Sequence, residues 1–139
     1  MSALSLPASA AVDYDIPTVV MRPGVLLHRV RGAAAAVWRL APGRYFAIPD
    51  GDDVVVLPLG RLTRIGRRPA SDIVLDDSTV SRRHALVLDR GGTPVIADDR
   101  SLNGVFVNGR RVREARLHHG DEVQIGNRLM RYLEVTKAS

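Results

Sequence analysis

Polar groups punctuate the second half of the chain in a fixed order: Ile65-Gly66-Arg67, then Ser81-Arg82-Arg83-His84, then Ser101-Leu102-Asn103-Gly104, then Asn108-Gly109 and Gly120-Asp121. Guanidinium and hydroxyl donors converging beside glycines can hold a phosphate without cleaving it: Arg brings a charged fork and glycine lets the backbone come close. Ser81 and His84 stand three residues apart and invite a nucleophilic reading. No carboxylate stands at motif spacing to orient the histidine, which argues against a catalytic dyad. His118 and His119 precede Gly120-Asp121, but adjacent side chains on a strand or turn point apart and no further ligand stands at useful spacing. Neither a P-loop nor a paired-carboxylate signature occurs. No catalytic residue, metal site or cofactor is expected; the chemistry on offer is binding.

Residues this far apart meet only if a scaffold gathers their loops. From Arg44 onward, short apolar runs alternate with turns: Arg44–Ile48, Val54–Leu57, Leu62–Ile65, Ile73–Leu75, His84–Leu88, Pro94–Ala97, Val105–Val107, Glu122–Ile125 and Arg128–Val135. This pattern predicts an all-β fold, an antiparallel β-sandwich of about ten to eleven short strands. Asn108-Gly109 predicts a two-residue hairpin, because both central positions of that turn need positive φ. A sandwich collects its loops at two ends, so Arg67, Ser81 and Asn103 can share one rim.

Residues 1–41 read differently. Pro17, Pro23 and Pro42 chop the region, and Val25–Leu40 carries part of a helical apolar face in Val30, Val37, Trp38 and Leu40. Gly32 interrupts that face at a cost of about 1 kcal/mol relative to Ala. The segment is expected to be an extension, partly disordered or a short helix, with the domain at 42–136 and a short tail at 137–139.

The whole chain has 139 residues, one domain's worth, and no Cys, which excludes disulfides and thiolate sites and fits a reducing compartment. No run approaches the roughly 18 apolar residues needed to cross a bilayer. The start lacks the basic and apolar regions of a signal peptide, so the cytoplasm is the expected location and no membrane contact is expected. A net charge of +5 and pI near 10.6 suggest an anionic partner. Of the 20 basic residues only Lys137 is not Arg, a bias that genomic base composition explains as readily as phosphate recognition. Nucleic acid is not the expected partner: aromatics are only 4%, leaving few stacking platforms, and no basic helix or RNA-binding motif occurs.

The stretch from Arg44 to Val135 resembles the forkhead-associated (FHA) domain. The resemblance is carried by Ile65-Gly66-Arg67, Asp72–Leu75, Val80–Ala85, Asp99–Gly104, Val107–Gly109 and Gly120–Gly126, all in order and at family spacing. Small bacterial FHA regulatory proteins are similar in carrying Ser-Leu-Asn-Gly together with Val-Ser-Arg-Arg-His-Ala. The resemblance implies a phosphothreonine-peptide binding module, with the peptide on loops at one end of the sandwich and a Ser/Thr kinase upstream. It implies a signalling or regulatory adaptor and no enzyme.

Carried over residue by residue, the resemblance implies that Arg67 reaches the phosphate or the peptide backbone beside it. Ser81 donates to a phosphate oxygen, and Arg82 adds a phosphate or peptide contact. Asn103 bonds the peptide backbone and sets its register. Gly66 and Gly104 permit tight backbone geometry, while His84 holds the serine from within its loop. Arg83 is expected to face solvent and Ser101 to stabilise its own loop. Leu102 departs from the family pattern, since many members have Thr there. It cannot donate through its side chain, which leaves its backbone N–H and removes about 1 kcal/mol of binding. Thr18, with Asp13 and Asp15 upstream, is a candidate phosphoacceptor in the tail. The similar regulators bind a phosphorylated threonine of their own tail, but their paired-threonine segment is not reproduced here.

Overall fold

The computed structural model describes residues 19–21, 28–31, 40–50 and 53–136. Among them are thirteen strands: β1 (Val19–Met21), β2 (His28–Arg31), β3 (Gly43–Asp50), β4 (Asp53–Pro58), β5 (Leu62–Gly66), β6 (Ile73–Leu75), β7 (Ala85–Arg90), β8 (Thr93–Asp98), β9 (Val105–Val107), β10 (Arg110–Val112), β11 (Glu114–Arg116), β12 (Glu122–Ile125) and β13 (Arg128–Val135). They form a six-stranded sheet, β1-β6-β5-β7-β8-β11, and a seven-stranded sheet, β10-β9-β12-β13-β3-β4-β2. All pairs are antiparallel except β5 with β6.

Period-2 alternation explains the two faces. In β5, Thr63 and Ile65 turn inward while Leu62 and Arg64 turn out. Ala85 and Val87 of β7, Val105 and Val107 of β9, and Val123 and Ile125 of β12 do the same. Their inward side chains meet Phe46, Leu57 and Tyr132 in one core between the sheets. Phe46 and Tyr132 pack edge to face at 6.2 Å between ring centroids. Burying side chains of this size contributes about 1.5–3 kcal/mol each. A second cluster, Tyr45, Ala47, Val54, Val56 and Leu133, uses the opposite faces of β3, β4 and β13.

The all-β sandwich expected from the sequence is the observed fold, with eleven strands between residues 43 and 135. The Asn108-Gly109 hairpin forms between β9 and β10, with φ of 51° and 81° at its two central residues. Two strands reach back into residues 1–41: β1 pairs with β6, and β2 pairs with β4. The helix expected over 25–40 therefore does not run through His28–Arg31, where pairing with Val54–Val56 and Asp53 wins over an apolar face that Gly32 already interrupts. The rest of that stretch, and Thr18, lie outside the described residues.

Register places the loops. Ile65 of β5 lies opposite Ala85 of β7, and Ala85 lies opposite Asp98 of β8. The segments after β5, before β7 and after β8 therefore emerge at one end of this sheet. In the other sheet, Ile125 pairs with both Val105 and Arg128. The Gly126-Asn127 hairpin thus opens beside the start of β9, just after Gly104.

Candidate functional site

The base of the site is a close approach of two backbones. The Arg67 N–H donates to the Ser81 carbonyl at 3.0 Å, and the Arg68 N–H to the Arg82 carbonyl at 3.2 Å. A Cβ on Gly66 would sit 2.2 Å from the Arg82 carbonyl oxygen, so glycine is what lets the segments meet. The Arg67 Nε donates to the Val80 carbonyl at 3.0 Å, which aims the side chain and leaves its two terminal nitrogens without a partner among the described residues.

His84 is fully buried at the root of the same loop. Its Nδ1 accepts from the Ser81 N–H at 2.9 Å and its Nε2 stands 2.8 Å from the Gly104 carbonyl. The first bond makes Nδ1 an acceptor, so Nε2 carries the proton that it donates to Gly104. One ring thereby joins the Ser81 loop to the segment entering β9.

Ser81 and Leu102 are bonded directly: the Leu102 N–H donates to Ser81 Oγ at 2.9 Å. The Leu102 N–H is thus engaged, while its side chain is 83% exposed. Ser81 Oγ keeps its own O–H proton. Asn103 Nδ2 donates to the Thr79 carbonyl at 2.7 Å, which leaves its Oδ1 open. Ser101 caps its own turn, its Oγ accepting from the Gly104 N–H at 2.9 Å and its N–H donating to Asp98 Oδ1 at 2.8 Å.

Thr79 ties the far side together. Its hydroxyl donates to Asp77 Oδ1 at 2.6 Å and accepts from the Asn127 N–H at 2.8 Å. That hydroxyl bond holds the Asp77 carboxyl below its ordinary range against the opposing effect of burial, with smaller help from the Thr79 N–H and the Arg128 charge.

Beside Ser81 lies a cleft of about 610 Å³ lined by Arg67, Arg68, Ser81, Arg82, Arg83, Asp99 and Arg100. Arg83 forks onto Asp99, with Nε to Oδ2 at 3.0 Å and Nη2 to Oδ1 at 3.2 Å. Of the sequence-derived site residues, Arg67, Ser81 and Arg82 line this cleft. Leu102 and Asn103 do not: Leu102 is bonded to the lining residue Ser81, and Asn103 to Thr79, which lies outside the lining. The two other histidines go separate ways: the His118 N–H donates to Asp121 at 2.7 Å, while His119 Nδ1 accepts from the Glu134 N–H at 2.9 Å.

Residues 63–126 match the family model of the FHA domain. The chain is 37% identical over 133 residues to the glycogen accumulation regulator GarA of Mycolicibacterium smegmatis, covering 88% of this chain and 84% of that one. The chain belongs to the FHA family. Another FHA relative, the oxoglutarate dehydrogenase inhibitor of Corynebacterium diphtheriae, is 36% identical over 94% of this chain and 97% of its own. Among solved structures, Mycobacterium tuberculosis EmbR in complex with a low-affinity phosphopeptide superposes with a TM-score of 0.59 at 36% identity, covering 69% of this chain and 25% of that one.

Three features of this FHA site escaped the sequence. Arg68 follows Arg67 and reads as a second loop charge, yet it lines the cleft. Arg100 lines it as well, from a left-handed backbone at φ 62° that a non-glycine residue adopts at a cost. Thr79 was hidden because its role needs Asn103 and Asn127, which approach only in the fold. The Asp77-Ser78-Thr79 spacing, with the Thr79 N–H on Asp77 Oδ1 at 2.8 Å, is the one local signal of it.

Proposed function

We propose that this FHA domain reads phosphothreonine in a protein partner and acts as a signalling or regulatory adaptor downstream of a Ser/Thr kinase. The observation that carries the reading is the convergence of Arg67, Ser81 and Arg82 on one cleft whose single carboxylate, Asp99, is already held by Arg83. The phosphate meets the terminal nitrogens of Arg67, the O–H of Ser81 and the guanidinium of Arg82. Asn103 Oδ1 accepts from a peptide N–H and fixes register, and the exposed Leu102 side chain covers apolar parts of the peptide. Gly66, His84 and Gly104 support these groups from below.

The arrangement is one for holding and not for turnover. His84 spends both ring nitrogens on backbone groups, so it cannot take a proton from Ser81 Oγ. No helix among the described residues is long and apolar enough to cross a membrane. A reader of kinase products belongs where kinases and ATP are, and we place it in the cytoplasm.

Titration with a phosphothreonine peptide library, the same peptides unphosphorylated and an oligonucleotide tests the reading. Binding should require the phosphate. Charge-assisted hydrogen bonds contribute about 1.5–3 kcal/mol each, so Arg67→Ala and Ser81→Ala should each weaken it roughly tenfold or more. Stability should change little in Arg67→Ala, an exposed loop position, and by about 1 kcal/mol in Ser81→Ala, which loses the bond from the Leu102 N–H. Wild-type affinity in both variants, or binding of the oligonucleotide alone, refutes it.

A further inference from the structure

The outer faces of the two sheets differ. On the seven-stranded sheet the outward side chains Tyr45, Ala47, Val54, Val56 and Leu133 are buried within the chain. On the six-stranded sheet Leu62 of β5 lies opposite Leu88 of β7, which lies opposite Val95 of β8. In the next outward row Arg64 lies opposite Leu86, and Leu86 opposite Ala97. Five of these six outward residues are apolar, where a sheet face turned to water carries polar ones. Leu62 nevertheless stays 39% exposed, and Leu86 and Leu88 are half-buried. Scattered exposed leucines are ordinary, but these three are neighbours in the register.

A groove of about 500 Å³ lies along β5 and β7, with Leu62, Arg64, Ala85 and Leu86 in its lining. The Arg83–Asp99 pair lines both this groove and the arginine cleft, and so marks the border between them. On the far side Val95 is covered by an ion pair: Arg90, opposite Thr93, reaches Glu114, opposite Ala97, at 2.7 Å. The charge left around the face has one sign. Glu114 is held by Arg90, Asp99 by Arg83, and Asp72 by the Arg64 N–H at 2.8 Å. Arg116 ends the row of Leu62, Leu88 and Val95 and has no ion pair among the described residues. Arg64 is 57% exposed, with only a long contact of 3.8 Å to Asp72.

We propose that this outer face docks a protein partner through a segment that presents large aliphatic side chains beside Asp or Glu, independently of phosphothreonine. The aliphatic groups fill the groove over Leu62, Leu86 and Leu88, and the carboxylates meet Arg64 and Arg116. Charge complementarity selects this occupant. A second copy would bring the same arginines towards one another on a chain that already carries +5. An acidic segment turns that repulsion into attraction, and its aliphatic side chains cover the leucines that the chain itself leaves open.

The test screens the full chain against a displayed library of unphosphorylated peptides, degenerate at every position. Enriched sequences should place Leu, Ile or Met within a few residues of Asp or Glu. The best peptide, made synthetically, is titrated against wild type, Leu62→Ser/Leu86→Ser and Arg116→Glu, with the melting temperature of each measured. Binding should weaken roughly tenfold or more in the leucine pair. It should weaken less in Arg116→Glu, and that loss should shrink at high salt. Arg116→Glu changes one exposed side chain, so it keeps the test decisive if the leucine pair folds poorly. A phosphothreonine peptide in excess should not displace the bound peptide. A library without the aliphatic-acidic pattern, wild-type affinity in Arg116→Glu and in a folded leucine pair, or displacement by the phosphothreonine peptide overturns the inference. Self-association in sedimentation that the leucine pair abolishes also overturns it, and gives the face to a second copy. Binding to phosphatidylglycerol vesicles and to no peptide overturns it in favour of a lipid surface.

Discussion

His84 stands where the two loops of the site would otherwise drift apart, and its ring has no exposed surface. Truncation to Ala leaves the Ser81 N–H and the Gly104 carbonyl unpaired in the interior and opens a void between them. Together these effects should cost about 3–5 kcal/mol. His84→Ala should lower the denaturant midpoint sharply, and should weaken phosphopeptide binding even at temperatures where the variant is folded. A normal midpoint with lost binding would mean that the ring touches the ligand. That Arg67, Ser81 and Asn103 come from loops at one end of the sandwich was legible in sequence, because each sits in a motif that resembles the family. Thr79 and Arg100 were not, because their placement depends on contacts or backbone angles that no local pattern encodes.

At the scale of elements, the ends of β5 and β8 and the start of β7 position the groups that line the cleft. The meeting of Gly66 with the Arg82 carbonyl is the tightest joint among them. Gly66→Ala would drive a methyl into that carbonyl and press Ser71 Oγ at 3.2 Å. Overpacking against backbone costs about 1–3 kcal/mol, and the relief available is separation of Arg67 and Arg68 from Ser81 and Arg82. Gly66→Ala should therefore lower the melting temperature and reduce phosphopeptide affinity together; full affinity in a destabilised protein would show that the joint does not set the site. Most strands were legible because their apolar alternation is strong and their turns carry Gly, Pro, Asp or Asn. β11 was not: it spans three residues at a sheet edge, mostly exposed, so Glu114-Ala115-Arg116 gives no burial pattern to read, and β10 was marked by the Asn108-Gly109 turn and not by its own side chains. β1 and β2 were missed for a related reason, since short edge strands draw on their partners more than on their own composition.

At the scale of the molecule, stability at alkaline pH depends on Tyr132. Burial, then a 2.8 Å hydrogen bond to Glu134 Oε1, pushes its phenol well above the ordinary value of 10.0. The native state thus holds this proton more tightly than the unfolded chain does. The resulting stabilisation is complete below about pH 10 and is lost as the pH climbs beyond it and the unfolded phenol ionises. Tyr132→Phe should cost about 1 kcal/mol at neutral pH from the lost hydrogen bond. It should also flatten the decline of the urea midpoint above pH 10, and an unchanged alkaline slope would assign that limb to other groups. The bond from the Leu102 N–H to Ser81 Oγ has a different reach. With the Ser81, Leu102 and Gly104 amides all engaged before any ligand arrives, the entropy of ordering these loops is lost during folding and not at each encounter. Association can then run at a rate set by diffusion and by the arginine field. The lifetime of each complex, more than the speed of its formation, decides which partner the protein keeps.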